Sequence, residues 1–239
     1  MKERSYFYYD KLDSTMLEHK RLQDSCKGLI CVRTGTQEDG KGRGERLWLS
    51  PLGGLWFTFD IRYPKMVPSF SLFIGYCLHR ELVRLFAPLE DDLYIKWTND
   101  IMYKDKKLCG IICQNHPGRY IIGIGINTNN EIDPELGKFG AISLKEILNC
   151  DISNEELCYS LISAVESQEK VLPNSITYIT YCNEHLFGRN AVAQIDEGRA
   201  PYEAEILGID LSGALIIRKS RGEIVNLHSG SILSLKAFS

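Results

Sequence analysis

Four short β-rich segments follow one another between residues 93 and 126, and only brief polar turns separate them. Turns of this length join antiparallel neighbours, because a parallel connection needs a crossover of about a dozen residues or more. This stretch therefore predicts the centre of a largely antiparallel sheet. The four predicted strands cover residues 93–97, 101–103, 108–114 and 120–126.

Two more strands are predicted before this stretch. Residues 29–34 form an apolar, β-branched run. Residues 55–63 alternate, with Thr58 and Asp60 facing away from the side that carries Phe57. Alternation of this kind is typical of a half-buried strand, with one face in the core and one in water.

Helical patterns complete the large domain. Helices are predicted at residues 69–86 and 175–185, and capping boxes that start at Thr15, Ser143 and Ser153 predict three more. We expect an α+β fold, in which helices pack on a mixed, largely antiparallel sheet.

The last fifty residues differ from the rest of the chain. From Gly188 onward, short strand patterns follow one another and are separated by tight, glycine-containing turns. Such a run predicts a small five-stranded β-barrel. We therefore expect one domain in residues 1–186 and a second in residues 187–239.

Composition removes several classes of function. A chain of 239 residues can hold a large domain with a small satellite, and its formal net charge of −3 gives no basic face for a nucleic acid backbone. No apolar run approaches the length of about eighteen residues that crosses a membrane, and the residues after Met1 lack the pattern of a signal peptide. We expect a cytoplasmic protein that binds neither nucleic acid nor membranes.

The eight cysteines are scattered, and no two of them form a Cys-x-x-Cys pair. A disulfide framework is not expected in a cytoplasmic chain of this size, so we take all eight as reduced. The five histidines form no evident cluster with cysteines or carboxylates. The sequence therefore predicts neither a zinc site nor a thiol nucleophile.

The segment from Gly40 to Trp48 combines glycines and cations in one apparent loop. Glycines let a backbone approach an anion closely, and Lys41, Arg43 and Arg46 supply positive charge. The pattern is typical of a phosphate clamp, and a solvated surface loop is the alternative, because three acidic neighbours balance the three cations. The loop matches neither a Walker A motif nor a Rossmann fingerprint, since its spacing is wrong and no helix follows it.

A second polar cluster lies between two of the predicted strands. Asn99 and Asp100 are suited to hold a divalent cation or a ribose, and Lys107 is suited to neutralise a phosphate or a carboxylate. A solvated hairpin is an equally good interpretation of Lys107, and the lysines of residues 104–106 are expected in water. Lys96 alternates with apolar neighbours and is expected to point outward from its strand.

Two glycines, Gly123 and Gly125, interrupt an otherwise apolar strand. Glycine weakens a strand, so its presence indicates that another group packs close to the backbone. A flat ring such as adenine would fit against it. A bulge or close packing against a helix is the alternative.

Five motifs together resemble those of the biotin protein ligases, in the same order and across nearly the whole chain. The tail at residues 208–215 is similar to that family's small C-terminal domain. The resemblance implies a class II synthetase-like catalytic domain in residues 1–186 and an SH3-like β-barrel in residues 187–239. The five motifs are Asp13-Ser14-Thr15, Gly40-Lys41-Gly42-Arg43-Gly44-Glu45-Arg46-Leu47-Trp48, Lys96-Trp97-Thr98-Asn99-Asp100, Lys107-Leu108-Cys109-Gly110-Ile111 and Gly125-Ile126-Asn127.

The resemblance implies a reaction in two steps. Biotin and MgATP give biotinoyl-5'-AMP and pyrophosphate, and a lysine of a biotin carboxyl carrier protein domain then takes the biotinoyl group. Bringing a carboxylate to the α-phosphate sets like charges together, so the site needs fixed cations and amides rather than a protein nucleophile. The catalytic residues implied are Arg43, Lys107 and Asp100, with Asp100 also implied as a magnesium ligand.

The same motifs imply the binding residues. Those implied for biotin are Ser14, Thr15, Gln37, Gly40, Lys41, Gly42, Arg43, Lys107, Gly110 and Gly125. Those implied for ATP and the adenylate are Arg43, Arg46, Trp48, Asn99, Asp100, Lys107 and Asn127.

Four residues depart from the family's pattern, namely Lys41, Glu45, Met16 and Thr98. A changed clamp affects how well an adenylate is shielded from water and from other lysines. Two alternatives stay open: a lipoate ligase or octanoyl transferase-like enzyme, and an inactive relative that only binds biotin. The first motif begins at Asp13, so we expect no N-terminal DNA-binding domain. We also expect the protein to be a monomer or a homodimer.

Overall fold

The computed structural model describes residues 3–26, 28–44, 46–132 and 140–236. These residues fall into two compact units. The first takes its described residues from Met1–Met66, Leu108–Pro134 and Ala141–Glu169, and the second from Val67–Lys107, Glu135–Gly140 and Lys170–Ser239. The expected domain division at residues 186 and 187 stays a prediction.

The described strands and helices are numbered separately in chain order. The strands are β1 Arg4–Leu12, β2 Leu29–Gln37, β3 Leu55–Arg62, β4 Leu93–Lys96, β5 Asp100–Tyr103, β6 Lys106–His116, β7 Arg119–Ile126, β8 Val192–Asp196, β9 Tyr202–Ile209, β10 Leu215–Lys219, β11 Ile224–Leu227 and β12 Ser231–Leu235. The helices are α1 Thr15–Gln23, α2 Phe70–Leu85, α3 Leu144–Leu148, α4 Asn154–Gln168 and α5 Ser175–Glu184.

In the first unit the strands lie in the order β1-β2-β3-β7-β6. β1 and β2 are parallel, with Arg4 beside Leu29, and the pairs β2–β3, β3–β7 and β7–β6 are antiparallel. The expected fold, helices packed on a mixed and largely antiparallel sheet, is confirmed. The four strands predicted between residues 93 and 126 are present as β4 to β7.

The edge strand β1 was not predicted from the sequence. Its residues Tyr6, Phe7, Tyr8 and Tyr9 place aromatic side chains on both faces, so no alternation of polar and apolar positions marks it as a strand. Its backbone pairing along β2 fixes the extended conformation. The strand therefore depends on a contact that is distant in sequence.

The prediction that β3 is half-buried is wrong. Thr58 and Asp60 are as inaccessible to solvent as the aromatic side chains on the other face. Helix α1 covers them, because the Thr58 hydroxyl donates to Thr15 Oγ1 at 2.8 Å and His19 Nε2 lies 3.4 Å from Asp60 Oδ1. The polar side chains satisfy one another beneath a helix instead of facing water.

Helix starts were predicted with mixed success. Ser143 and Glu146 form the predicted capping box, in which each side chain bonds the other residue's backbone N–H. The box predicted at Thr15 is wrong, because Ser14 is the N-cap of α1 and its side chain makes no capping hydrogen bond. The Ser14 hydroxyl is therefore not committed to the helix backbone.

In the second unit, the β4–β5 hairpin is tied to the segment that follows α5. Ile95 N–H donates to His185 O at 2.8 Å, and Phe187 N–H donates to Ile95 O at 3.0 Å. Lys96, expected to point outward, is buried with 8% of its surface exposed, so that expectation is wrong. Lys104 is exposed as expected and lies 3.5 Å from Asp92.

The C-terminal strands form a five-stranded sheet in the order β11-β10-β9-β8-β12. Tight turns occur where they were predicted, and Gly198, Gly213 and Gly222 have φ angles of 82°, 90° and 83°, which favour glycine. The expected closed barrel is not found within the described residues, since β11 and β12 are the two edges of this sheet. A small C-terminal β-sheet is what the structure contains.

A buried histidine on α2 makes the stability of the second unit depend on pH. His79 Nε2–H donates to Leu93 O at 2.9 Å, and Nδ1 lies 2.9 Å from the Tyr181 hydroxyl, a pattern that suits neutral imidazole. Burial lowers the pKa of His79 to about 4.

Because the unfolded chain binds the proton more readily, this histidine destabilises the fold as pH falls from about 6.5 to about 4, by on the order of 3 kcal/mol. We expect His79→Gln to flatten that part of the profile of unfolding free energy against pH, measured by urea titration. The exposed His228→Gln is the control. An unchanged slope in His79→Gln would contradict the assignment.

All eight cysteines are free thiols. No helix in the described part of the chain is both long enough and apolar enough to cross a membrane.

Candidate functional site

Gln37, at the end of β2, joins the start of α1 to the glycine-rich segment. Its Oε1 accepts from Thr15 N–H at 2.8 Å and from the Thr15 hydroxyl at 3.0 Å. Its Nε2 donates to Ser50 Oγ at 2.7 Å, and the Ser50 hydroxyl donates to Trp48 O at 3.1 Å. One amide therefore fixes Thr15 and the segment that carries Trp48 relative to each other.

Ser14 lies directly before this network and is 1% exposed. Its hydroxyl has no hydrogen-bond partner among the residues that the structure describes. A buried hydroxyl left without a partner costs about 1–3 kcal/mol, so such groups are uncommon outside functional sites. Ser14 Oγ is suited to bond a polar group on a ligand.

Trp48 packs flat against two glycines. A Cβ at Gly110 would lie 2.6 Å from Trp48 Cζ3, and a Cβ at Gly125 would lie 2.5 Å from Nε1. These two glycines are cross-strand partners on β6 and β7. The sequence predicted a flat ring against Gly125, and in this structure the ring is the indole of the protein's own tryptophan.

The second glycine of β7 has a different neighbour. A Cβ at Gly123 would lie 3.0 Å from Met16 Sδ and 3.6 Å from Thr58 Oγ1. Gly123 and Gly125 are two residues apart on one strand, so they share a face of the sheet. Met16 and Trp48 thus cover adjacent positions on the face that α1 occupies.

The clamp segment folds back on itself. Gly42 N–H donates to Arg46 O at 2.7 Å, and Trp48 N–H donates to Gly40 O at 2.8 Å. Lys41 forms an ion pair with Asp39, and Arg43 and Arg46 are exposed. Glu45, the acidic departure from the family's pattern, lies outside the described residues. The segment thus has the turned-back backbone of an anion-binding loop.

Close packing also explains Gly40. A Cβ at this residue would lie 2.8 Å from Ser50 Oγ and 3.0 Å from Gln37 Nε2. Any side chain at Gly40 would push Ser50 or Gln37 aside and break the hydrogen bonds that order the segment.

In the second unit, Lys107 and Asp100 form an ion pair. Lys107 Nζ lies 2.8 Å from Asp100 Oδ1, and the two side chains are 31% and 15% exposed. The lysine is therefore held at a partly open surface, where it can meet an anion. Asn99, next to Asp100, is also partly buried.

Asn127 lies immediately after β7 and is buried. Its N–H donates to Leu108 O at 3.0 Å, and its carbonyl accepts from Leu144 N–H at 2.9 Å. Both backbone groups are therefore used to hold the residue in place. Sequence reasoning singled out neither Thr58 nor Asn130 as site residues, although both contact predicted ones, Thr15 and Asn127.

Comparison with known families bears directly on this arrangement. The sequence model of the biotin/lipoate A/B protein ligase family matches residues 6–129, just over half of the chain. The matched range contains Ser14, Gln37, Trp48, Lys107 and Asn127. The chain belongs to this family.

Relatives within the biotin/lipoate ligase family extend the match along the chain. This chain is 28% identical to the human biotin–protein ligase over 84% of its own length, and it spans only 30% of that protein. It is 27% identical to the Bacillus subtilis bifunctional ligase/repressor BirA, covering 94% of this chain and 72% of that protein. It is 27% identical to the Paracoccus denitrificans biotin–[acetyl-CoA-carboxylase] ligase, covering 90% of this chain and 95% of that protein.

Solved structures of this ligase family share the fold. The biotin protein ligase from Aquifex aeolicus, in complex with biotin and ATP, aligns over 97% of this chain and 98% of its own, with a TM-score of 0.81 and 24% identity. The Leishmania major biotin protein ligase, in complex with biotinyl-5-AMP, aligns over 94% and 98%, with a TM-score of 0.68 and 20% identity.

The packing of Trp48 against Gly110 and Gly125 gives a testable prediction. Gly125→Ala would place a methyl group 2.5 Å from the indole, so we expect a loss of about 1–3 kcal/mol of stability from overpacking.

Urea titration would measure this loss of stability. Gly28→Ala is the matched control, because no atom lies within 4 Å of the added methyl group. A Gly125→Ala protein with unchanged stability would show that Trp48 does not need a glycine at this position.

Proposed function

We propose that this protein is a biotin protein ligase. In the first step an oxygen of the biotin carboxylate attacks the α-phosphorus of ATP, and pyrophosphate leaves. In the second step a carrier lysine attacks the carbonyl carbon of biotinoyl-5'-AMP, an amide forms, AMP leaves, and the amine loses a proton. Membership of the biotin/lipoate ligase family and likeness to biotin ligases along most of the chain support both steps.

One geometric observation carries the biotin assignment. Ser14 holds a buried hydroxyl without a described partner, and the next residue, Thr15, is fixed by Gln37. A ureido group offers both N–H donors and a carbonyl acceptor, which suits a hydroxyl that can donate and accept. We propose that Ser14, Thr15 and Gln37 hold this end of biotin, with Gly40, Lys41, Gly42, Gly110 and Gly125 lining its site.

The chemistry requires cations near the reacting groups, because both the carboxylate and the α-phosphate are negative. We propose that Arg43 and Lys107 contact them and stabilise the charge that develops on the phosphate oxygens. Lys107 is paired with Asp100, so its ammonium group is already oriented when the substrates bind. Arg46, Trp48, Asn99 and Asn127 are proposed to bind the nucleotide.

The residues that the structure describes contain no cluster of three or more histidines, cysteines or carboxylates suited to hold a metal. Asp100 alone, already bonded to Lys107, does not make a resident metal site. It does fit magnesium that arrives as MgATP, since Mg²⁺ is commonly bound by one carboxylate together with substrate phosphates. Magnesium is therefore proposed as part of the nucleotide substrate, where it neutralises phosphate charge.

The second substrate is proposed to be a lysine on a biotin carboxyl carrier protein domain of a biotin-dependent carboxylase. The likeness to the Paracoccus denitrificans biotin–[acetyl-CoA-carboxylase] ligase supports this choice.

We further propose that residues 187–239 are a separate SH3-like domain built on the five-stranded sheet. Eight free thiols fit a reducing, cytoplasmic location.

The deciding experiment is incubation of the purified protein with ATP, magnesium and either biotin or lipoate. Pyrophosphate release and the mass of the acyl-adenylate would be measured. Biotinoyl-adenylate formed with biotin alone is expected. Lipoyl-adenylate would instead assign the chain to the lipoate branch of the family, and biotin binding without either product would identify an inactive relative.

A further inference from the structure

The corner that follows β7 is built from consecutive polar residues whose side chains all make internal bonds. The Thr128 hydroxyl donates to Gly53 O at 2.8 Å. Asn129 exchanges two hydrogen bonds with the backbone of Ile152, donating to its carbonyl at 2.9 Å and accepting from its N–H at 2.7 Å. These bonds tie the corner to the backbone of Gly53 and Ile152, with Asn127 before it in the chain and Asn130 at its end.

Asn130 contacts the side chain of Asn127 directly. Its Nδ2 donates to Asn127 Oδ1 at 3.1 Å, and the two residues are 5% and 6% exposed. The same Nδ2 lies 3.3 Å from Glu131 O, whereas Asn130 Oδ1 has no hydrogen-bond partner among the described residues. The Asn130 side chain is thus held through its Nδ2 group, and one of the two acceptors of that group is Asn127 Oδ1.

A side-chain amide can rotate by half a turn and exchange its donor for its acceptor at nearly the same shape. Asn130 donates to Asn127 Oδ1, so the Asn127 Nδ2 group points away from Asn130. Adenine presents a donor beside an acceptor on one edge, so an asparagine recognises it in only one of the two orientations.

We propose that Asn130 is a positioning residue that sets the orientation of the Asn127 amide and thereby supports recognition of the adenine nucleotide. This inference rests on the proposed function in one respect, that Asn127 contacts the nucleotide. It adds a residue that lies outside all five sequence motifs and that is itself not expected to touch the nucleotide.

The most informative variant is Asn130→Asp, studied at pH 8 so that the new carboxyl is ionised. A carboxylate only accepts hydrogen bonds, so it would draw Asn127 Nδ2 toward itself and reverse the amide. We expect the Kd for ATP to rise about tenfold, while the Kd for biotin stays within about twofold of wild type. Asn130→Ala, which removes the bond to Asn127 Oδ1, should raise the Kd for ATP by about threefold.

Calorimetric titration with ATP and with biotin measures these constants without requiring turnover. The decisive comparison is a double-mutant cycle with Asn127→Ala. If Asn130 acts through Asn127, adding Asn130→Asp to Asn127→Ala should weaken ATP binding no further. An equal additional loss in that background would show that the carboxylate acts by direct repulsion, and it would overturn the proposal.

Asn154→Asp is the matched structural control. Asn154 is also a partly buried asparagine, and its Nδ2 bonds Gly53 O at 2.9 Å and Gly54 O at 3.2 Å rather than Asn127. It should lose stability, as Asn130→Asp does, but keep the wild-type ratio of ATP to biotin affinity. The same change of that ratio in both variants would reduce Asn130 to a structural residue.

Failure of the proposed function gives a different result. Wild-type protein that binds ATP but releases no pyrophosphate in the presence of biotin would contradict the ligase assignment. The double-mutant cycle on ATP affinity would still be interpretable. Unchanged ATP affinity in Asn127→Ala would instead overturn the inference about Asn130, whatever the enzyme makes.

Discussion

Lys107→Ala is expected to lower the rate of biotinoyl-adenylate formation by a factor of about 10²–10³, with the fold intact. Removing one preorganised group that stabilises developing charge has effects of this size in other enzymes. Lys107 is partly exposed, so its loss should change stability little, although Asp100 loses its 2.8 Å partner. Pyrophosphate release under saturating biotin and ATP would measure the rate, and a thermal melt would check the fold.

Lys104→Ala is the matched control, because Lys104 is a nearby exposed lysine that pairs with Asp92 at 3.5 Å. It should retain activity within about twofold, as expected for an exposed ion pair. Equal losses in the two variants would indicate a general electrostatic effect of the β5–β6 turn and would contradict a specific role for Lys107.

Asp60→Asn is expected to destabilise the protein by about 3–5 kcal/mol, which is the typical cost of removing one partner from a buried charged cluster. Asp60 is fully buried, and its Oδ1 accepts from Ile30 N–H at 2.7 Å. Arg4 lies 3.6 Å from Oδ1 and Arg119 lies 3.2 Å from Oδ2, so the neutral amide would remove a negative charge that both guanidinium groups share. Arg4 would keep Glu166 at 2.9 Å. Equilibrium urea unfolding at pH 7 would measure the loss.

The same carboxylate predicts a dependence on pH. Burial raises the pKa of Asp60, but the hydrogen bonds from His19 and Ile30 N–H and the positive charge of Arg4 outweigh it and lower the pKa below its usual value. Its contribution to stability is therefore complete above a pH of about 4, and it is lost as pH falls further and the native carboxylate takes up a proton. The difference between wild type and Asp60→Asn should shrink below that pH.

Asp151→Ala is the control for this prediction. Asp151 pairs with Lys145 at 2.7 Å on the surface, where it is 78% exposed, and exposed pairs contribute about 0–1 kcal/mol. A similar small loss in Asp60→Asn would show that the buried cluster does not depend on its central charge.

Much of the fold and of the candidate site was predictable from local patterns. The strands between residues 93 and 126 could be placed because short polar turns limit how their neighbours pair. The two glycines of β7 indicated that a group packs against the backbone. Thr15, Gln37 and Trp48, all named from the sequence, belong to one hydrogen-bonded network in the first unit.

What could not be predicted depends on contacts between distant residues. Nothing local shows that Trp48 would supply the flat ring over Gly125, because the two are joined only by packing. Lys96 looks like a surface lysine in its own strand and is nevertheless buried. Asn130 carries no motif, and its importance appears only through its bond to Asn127.

The position of Trp48 has a practical consequence for measurement. The chain has three tryptophans, and Trp56 and Trp97 are almost completely buried, whereas Trp48 is partly exposed beside the proposed ligand site. Intrinsic fluorescence should therefore report mainly on Trp48 when a ligand arrives. Without any label, the emission of this protein offers a direct optical signal for the order and rate of substrate entry.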